Sequence, residues 1–127
     1  AITVISLVLI RGELEENIMV KTLRIMLEYR CYPVWLYDED GNIVDTLLPE
    51  ELRSDSELDA KFDDLQARYD ALFVDNSHEF DFVGFKTETD KTAFLNDWQI
   101  AISELREKTH GRYLIIDEIQ KAFPADN

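Results

Sequence analysis

Two stretches of the chain repeat apolar residues with the period of an α-helix, and these repeats constrain the fold more than any other feature. In the first stretch, Leu58, Phe62, Leu65, Tyr69 and Leu72 step by four, three, four and three residues. This spacing lines them along one side of a helix, which we predict over residues 55–73. The rest of the chain must therefore supply an apolar surface for that side to pack against.

The second stretch shows the same periodicity. Its apolar members are Phe94, Trp98, Ala101 and Leu105. Thr87 is placed to cap the start of this helix, with Asp90 three residues later as in a capping box. Gly111 is placed to end it. The sequence therefore predicts a long helix from about residue 87 to Gly111.

Segments with strand character surround these helices. Strands are predicted at residues 2–10, 34–37, 43–46, 80–85 and 113–116. A third helix is predicted at 15–29 and a short helical turn at 119–123. The order β-α-β-β-α-β-α-β predicts an α+β fold, with three main helices packed on a mixed sheet of four to five strands. We expect one globular domain over residues 1–127, with a frayed tail from about residue 124.

The apolar run at residues 2–10 does not indicate a membrane protein. A helix needs about 20 apolar residues to cross a bilayer, and this run also lacks the basic flank and cleavage pattern of a signal peptide. Cys31 is the single cysteine, so no disulfide can form within the chain. We therefore expect a cytoplasmic protein.

Negative charge is concentrated in one third of the chain. Residues 38–81 hold fifteen Asp or Glu and three Lys or Arg, a net charge of −12 out of −14 for the whole chain. Such a charge repels nucleic acids and anionic membranes, so we expect neither as a partner. It is suited to binding a basic protein, although it would also serve for solubility alone.

No residue pattern indicates catalysis, a metal or a cofactor. Asp38, Asp40 and Asn42 resemble the start of a calcium-binding loop, but the Gly and Glu that such a loop requires are missing, so a hairpin turn is the better interpretation. Cys31 has no histidine near it in sequence, and it is interpreted as a buried structural cysteine. His78 is interpreted as a loop residue, and the pair Asp117–Glu118 as a solvated turn.

Ten residues are candidates for binding a basic partner. Asp55, Asp59 and Asp63 recur every four residues, so their side chains stack along one side of the predicted helix. Aromatic residues, among them Tyr32 and Phe80, are interleaved with the acids, and tyrosine is enriched in binding hot spots. The candidate set is Tyr37, Asp38, Glu39, Asp40, Asp55, Asp59, Asp63, Asp70, Asp75 and Glu79.

Two segments resemble those of a known class of proteins. The segments 32–42 (YPVWLYDEDGN) and 69–76 (YDALFVDN) resemble small acidic bacterial immunity proteins, which are encoded beside polymorphic or contact-dependent toxins. The resemblance implies a protein that binds and blocks a basic cognate toxin, often a nuclease, in the cytoplasm. It implies no particular residue roles.

Two other functions remain open at this point. One is a small regulatory or adaptor module, homodimeric through an apolar face, which sedimentation would reveal as a stable dimer without affinity for basic proteins. The other is an enzyme, which would require a deep pocket holding Cys31 or His78 together with a carboxylate.

Overall fold

The computed structural model describes residues 20–123. The strand predicted at 2–10, the start of the helix predicted at 15–29 and the tail beyond residue 123 lie outside this range. Within it, the first elements are the strands β1 (Lys21–Ile25), β2 (Val34–Tyr37) and β3 (Ile43–Asp45), followed by a 3₁₀ turn at Glu50–Leu52. Next come helix α1 (Ser56–Asp70) and the strands β4 (Phe73–Asp75) and β5 (Phe80–Phe82). Helix α2 (Glu88–Thr109), strand β6 (Tyr113–Asp117) and the short helix α3 (Ile119–Ala122) complete the described chain.

The α+β fold and the mixed sheet predicted from the sequence are confirmed. Four strands form a sheet in the order β3-β2-β1-β6. Strand β1 pairs antiparallel with β2 and parallel with β6, so the sheet is mixed. Strands β4 and β5 form a separate two-stranded sheet, the β4–β5 hairpin.

One face of the four-stranded sheet forms the core together with the two long helices. Leu23 and Ile25 of β1 and Val34 of β2 are fully buried. Strands alternate their side chains between faces, so the other face carries Arg24 and Trp35, which are only partly buried. The helical repeats found in the sequence supply the opposite layer of the core, including Phe62 and Trp98 at 0% exposure.

One element prediction was wrong in type, and another was correct in type but extended too far. The helix predicted at 15–29 is a strand over Lys21–Ile25, because its apolar residues pair with β6 as well as β2. The helix predicted at 55–73 ends at Asp70, and Phe73 begins a strand that pairs with Phe82. Residues four positions apart, such as Leu23 and Leu27, share a face in both a helix and a strand. Strand pairing with distant residues therefore decided the outcome.

The caps predicted for α2 are confirmed. The Thr87 side chain accepts a hydrogen bond from the Asp90 backbone N–H at 3.0 Å. At the other end, His110 and Gly111 have φ angles of 50° and 76°. These left-handed conformations end the helix next to the predicted glycine.

We expect Phe62→Ala to lower the free energy of unfolding by about 3–5 kcal/mol, because it leaves a cavity between α1 and the sheet. Urea denaturation measures this change. Ile100→Ala is the matched control on α2, since Ile100 is 49% exposed, and it should change stability by less than about 0.5 kcal/mol. Equal losses for the two variants would contradict the assignment of the core.

Candidate interaction surface

Ion pairs join α1 and α2 along their shared edge. The two helices run antiparallel, and the pairs that link them are Asp55–Lys108, Lys61–Glu104 and Arg68–Asp97. Asp55 also caps α1, because its side chain accepts a hydrogen bond from the Leu58 backbone N–H at 3.1 Å. The hydrogen bond from Lys108 is the main reason why the pKa of Asp55 is lowered. Asp55 is therefore engaged within the fold.

The four-residue spacing on α1 allows two ion pairs within the helix, Asp64–Arg68 and Glu57–Lys61, and only the first forms. Arg68 bonds Asp64 at 3.1 Å, as the four-residue spacing predicts. Lys61 bonds Glu104 of α2 and does not pair with Glu57. A partner on a packed neighbouring helix outcompetes a partner one turn away on an exposed surface.

The opposite edge of α1 carries two of the predicted acids. Tyr32 donates a hydrogen bond from its hydroxyl to Asp59 at 2.8 Å. Burial, this hydrogen bond and the nearby negative charge raise the pKa of Tyr32 well above its usual value of 10.0. Asp63 is exposed. Its pKa is raised, mainly by desolvation and to a smaller extent by repulsion from the Asp59 carboxylate.

Asp70 and Asp75 hold the loop between β1 and β2. Arg30 has a left-handed backbone, with φ at 58°, and its N–H donates to Asp70 at 2.9 Å. The Tyr29 hydroxyl donates to Asp75 at 3.0 Å, and the Arg30 guanidinium lies 3.8 Å from the same carboxylate. This loop therefore connects the C-terminal end of α1 to the β4–β5 hairpin.

The predicted turn between β2 and β3 is confirmed. The Asp38 carboxylate accepts hydrogen bonds from the backbone N–H groups of Asp40 and Asn42 at 3.0 and 2.9 Å. Gly41 has a φ of 85°, which a side chain would strain. Asp38 is therefore engaged by its own turn, as in an Asx turn, whereas the Glu39 and Asp40 side chains extend into solvent.

The ten candidate residues do not form one patch. Tyr37 pairs in register with Thr22, near the start of β1, so the turn at Asp38–Asp40 lies at that end of the sheet. Asp70 and Asp75 lie at the other end, where the loop after β1 meets α1. The acids of α1 lie between these two ends.

Four of the ten have exposed carboxylates without an internal partner. Among the residues that the structure describes, no hydrogen bond or ion pair holds the carboxylates of Glu39, Asp40, Asp63 and Glu79. The other five acids support the fold through the contacts described above. Tyr37 lies under the Arg24 guanidinium, which is 5.4 Å from the ring centroid.

An exposed apolar surface lies beside the acids of the β4–β5 hairpin. Phe80, Phe82 and Val83, which we call the hairpin patch, are 59%, 37% and 57% exposed. Phe80 stacks on Phe73 with centroids 5.3 Å apart and meets the Tyr29 ring at 5.0 Å. The sequence predicts Phe80 as the first residue of a strand and as an aromatic residue among acids, but periodicity does not show which residues of a short strand are exposed.

The residues tested for catalytic chemistry have structural roles or lie in loops. Asp117 accepts the Trp98 indole N–H at 2.9 Å. Glu118 is buried and pairs with Arg24, so the prediction of a solvated turn was wrong for it. Cys31 is only partly buried, because the loop around Arg30 leaves it at the surface, so its interpretation as a buried cysteine was also wrong. His78 lies in the exposed turn between β4 and β5.

Residues 20–123 contain neither a metal-binding cluster nor a membrane-spanning helix. No group of three or more His, Cys, Asp or Glu side chains in that range is arranged to hold a metal ion. No helix in the same range has the length and apolar character needed to cross a bilayer.

We expect Tyr32→Phe to destabilise the protein at neutral pH by about 0.5–1.5 kcal/mol, because Asp59 loses its hydrogen bond. The cost should shrink as the pH rises above about 10. Above that pH the Tyr32 phenol ionises in the unfolded wild type but stays protonated in the folded protein. The free energy of unfolding of the wild type therefore falls by up to about 1.4 kcal/mol per pH unit. Urea denaturation between pH 7 and about 11 measures both effects.

The control for this prediction is Tyr37→Phe. No described residue forms a hydrogen bond with the Tyr37 hydroxyl, so this variant should keep the wild-type stability at neutral pH. Equal stability of wild type and Tyr32→Phe at neutral pH would contradict the assigned hydrogen bond, and stability curves that stay parallel above pH 10 would contradict the raised pKa of Tyr32.

A family model described as Serratia CdiI immunity protein-like matches residues 21–116, which is more than half of the chain. No curated protein matches the chain.

Proposed function

Because the chain belongs to the Serratia CdiI immunity protein-like family, we propose that it binds a cognate toxin and blocks it through an acidic surface. The observation that carries the acidic part of this proposal is the set of unpartnered carboxylates described above. These carboxylates are exposed, and no Lys or Arg among the described residues pairs with them; they belong to Glu39, Asp40, Asp63 and Glu79. They are therefore available to a basic partner.

The local charge balance supports a partner that is basic. The three bases of residues 38–81 are already paired within the fold, Arg53 with Asp45, Lys61 with Glu104, and Arg68 with Asp64 and Asp97. The surplus acids create a negative field that attracts cations over roughly a Debye length, about 8 Å at physiological salt. Such a field accelerates association with a basic protein more than it strengthens the final complex.

We extend the proposal to the class of toxin. A toxin that cleaves nucleic acid must attract phosphates, so its substrate-binding surface is basic. An acidic protein that covers this surface presents the same sign of charge as the substrate and excludes it. A nuclease in the cytoplasm is therefore the target that this charge distribution fits best.

The test uses the toxin encoded by the neighbouring gene. We expect the purified chain to bind it and to suppress its activity, with an affinity that falls as the salt concentration rises. Neutralising two unpartnered acids, Asp63→Asn and Glu79→Gln, should weaken binding by about 0.2–1 kcal/mol each, the usual value of an exposed ion pair. Titration calorimetry at two salt concentrations measures these changes.

The matched control is Glu107→Gln, which removes an exposed carboxylate on α2 outside the acidic stretch. It should leave the affinity unchanged. Absence of binding by the wild-type chain would overturn the proposed function. Binding that is insensitive to salt and to both neutralised acids would overturn its electrostatic part alone.

A further inference from the structure

We propose that the hairpin patch, formed by Phe80, Phe82 and Val83, is the apolar anchor that inserts into a pocket on the toxin. This inference rests on the proposed function and names the part of the surface that supplies most of the binding energy. Exposed ion pairs contribute little each, whereas a few buried aromatic anchors dominate the energy of most protein interfaces. The acidic residues alone would therefore give fast but weak binding.

The exposure of the patch is the first argument. A single exposed apolar residue is ordinary, but adjacent ones on the surface of a protein mark interaction sites. Phe80 and Phe82 lie two residues apart on one face of β5, at 59% and 37% exposure, and Val83, at 57% exposure, follows the strand directly. The patch lies on the two-stranded hairpin, which is separate from the four-stranded sheet.

The second argument is that the patch is held in place before binding. Phe73 contacts the rings of both Phe80 and Phe82, at 5.3 and 5.2 Å between centroids. The turn before Phe80 is closed by Asn76, whose side chain accepts the backbone N–H groups of His78 and Glu79 at 2.8 and 3.1 Å. After the strand, the Val83 N–H donates to the Leu72 carbonyl at 2.7 Å. A surface ordered in advance loses less entropy on binding.

The charge around the patch identifies its partner. Asp75 is the strand partner of Phe80, and Glu79 and Asp81 flank Phe80 in sequence. No Lys or Arg occurs between Arg68 and Lys86. The Arg30 guanidinium lies 3.8 Å from the Asp75 carboxylate, so Glu79 and Asp81 give the rim its negative charge. The patch is therefore an apolar centre with a net acidic rim, which fits an apolar pocket with a basic rim.

The same rim argues against other occupants. In a symmetric dimer built on this patch, each acidic rim would face its own copy, and like charges would repel. An anionic lipid surface would be repelled for the same reason. The toxin, which the proposed function already requires to be basic, meets both the apolar and the charge requirement.

Two variants test the anchor against the same toxin, encoded by the neighbouring gene. We expect Phe80→Ala to raise the Kd by about thirtyfold or more, the size of a hot-spot loss of about 2 kcal/mol. The increase should appear mainly as faster dissociation, because short-range contacts hold the complex together after encounter. Surface plasmon resonance measures both rates.

Val83→Asp separates an apolar anchor from a purely electrostatic surface. The change adds a carboxylate to the acidic rim and leaves the Phe73–Phe80 stack in place. An apolar anchor predicts weaker binding, whereas attraction by charge alone predicts equal or tighter binding. Because Val83 is 57% exposed, the variant should keep the wild-type unfolding midpoint. It therefore tests the anchor even if Phe80→Ala fails to fold.

Leu114→Ala is the matched control. Leu114 is 52% exposed on β6, away from the hairpin, and its variant should bind the toxin like the wild type. The inference is overturned if the wild type binds and both hairpin variants bind equally well. It is also overturned if the chain alone forms a dimer that Phe80→Ala dissociates. Failure of the wild type to bind overturns the proposed function instead.

Discussion

The acidic residues 38–81 contain few basic side chains, and this limits the ion pairs that can form within the fold. In the acidic third of the chain there are three basic side chains, and each of them is used to hold parts of the fold together. Lys61 and Arg68 tie α1 to α2, so the acids on that edge of α1 are balanced by its neighbour. On the opposite edge, Asp59 relies on a tyrosine hydroxyl and Asp63 has no partner among the described residues. The negative surface charge therefore comes from the acids that have no basic partner among the described residues.

In the interface that we propose, the two kinds of residue have separate physical roles. The unpartnered acids would act over distance and favour encounter with a basic protein. The hairpin patch would act only on contact and favour retention of that protein. Asp75 takes part in both the fold and the rim, because it accepts the Tyr29 hydroxyl while lying beside Phe80 in the hairpin. The loop at Arg30 therefore couples the position of the patch to the end of α1.

Local patterns in the sequence predicted those elements whose residues interact with near neighbours. The periodicity of α1 and α2, the cap at Thr87 and the turn at Asp38 all depend on residues a few positions apart. Strand β1 could not be predicted in this way, since its identity depends on pairing with β6. The same limit applies to the site, because the bonds that engage Asp59 and Asp70 come from Tyr32 and Arg30, distant in sequence.

The parallel pairing of β1 with β6 has a consequence for how the protein is made. Leu23 is in register with Ile115. The central strand β1 is therefore translated before its partner β6, which lies near the end of the described chain. Contacts between such distant residues slow folding, because the loop must close before the contact can contribute. Until β6 has left the ribosome, β1 has one open edge, and the core face around Leu23 is incomplete. The protein therefore acquires its native sheet only after nearly all of residues 20–123 have been translated.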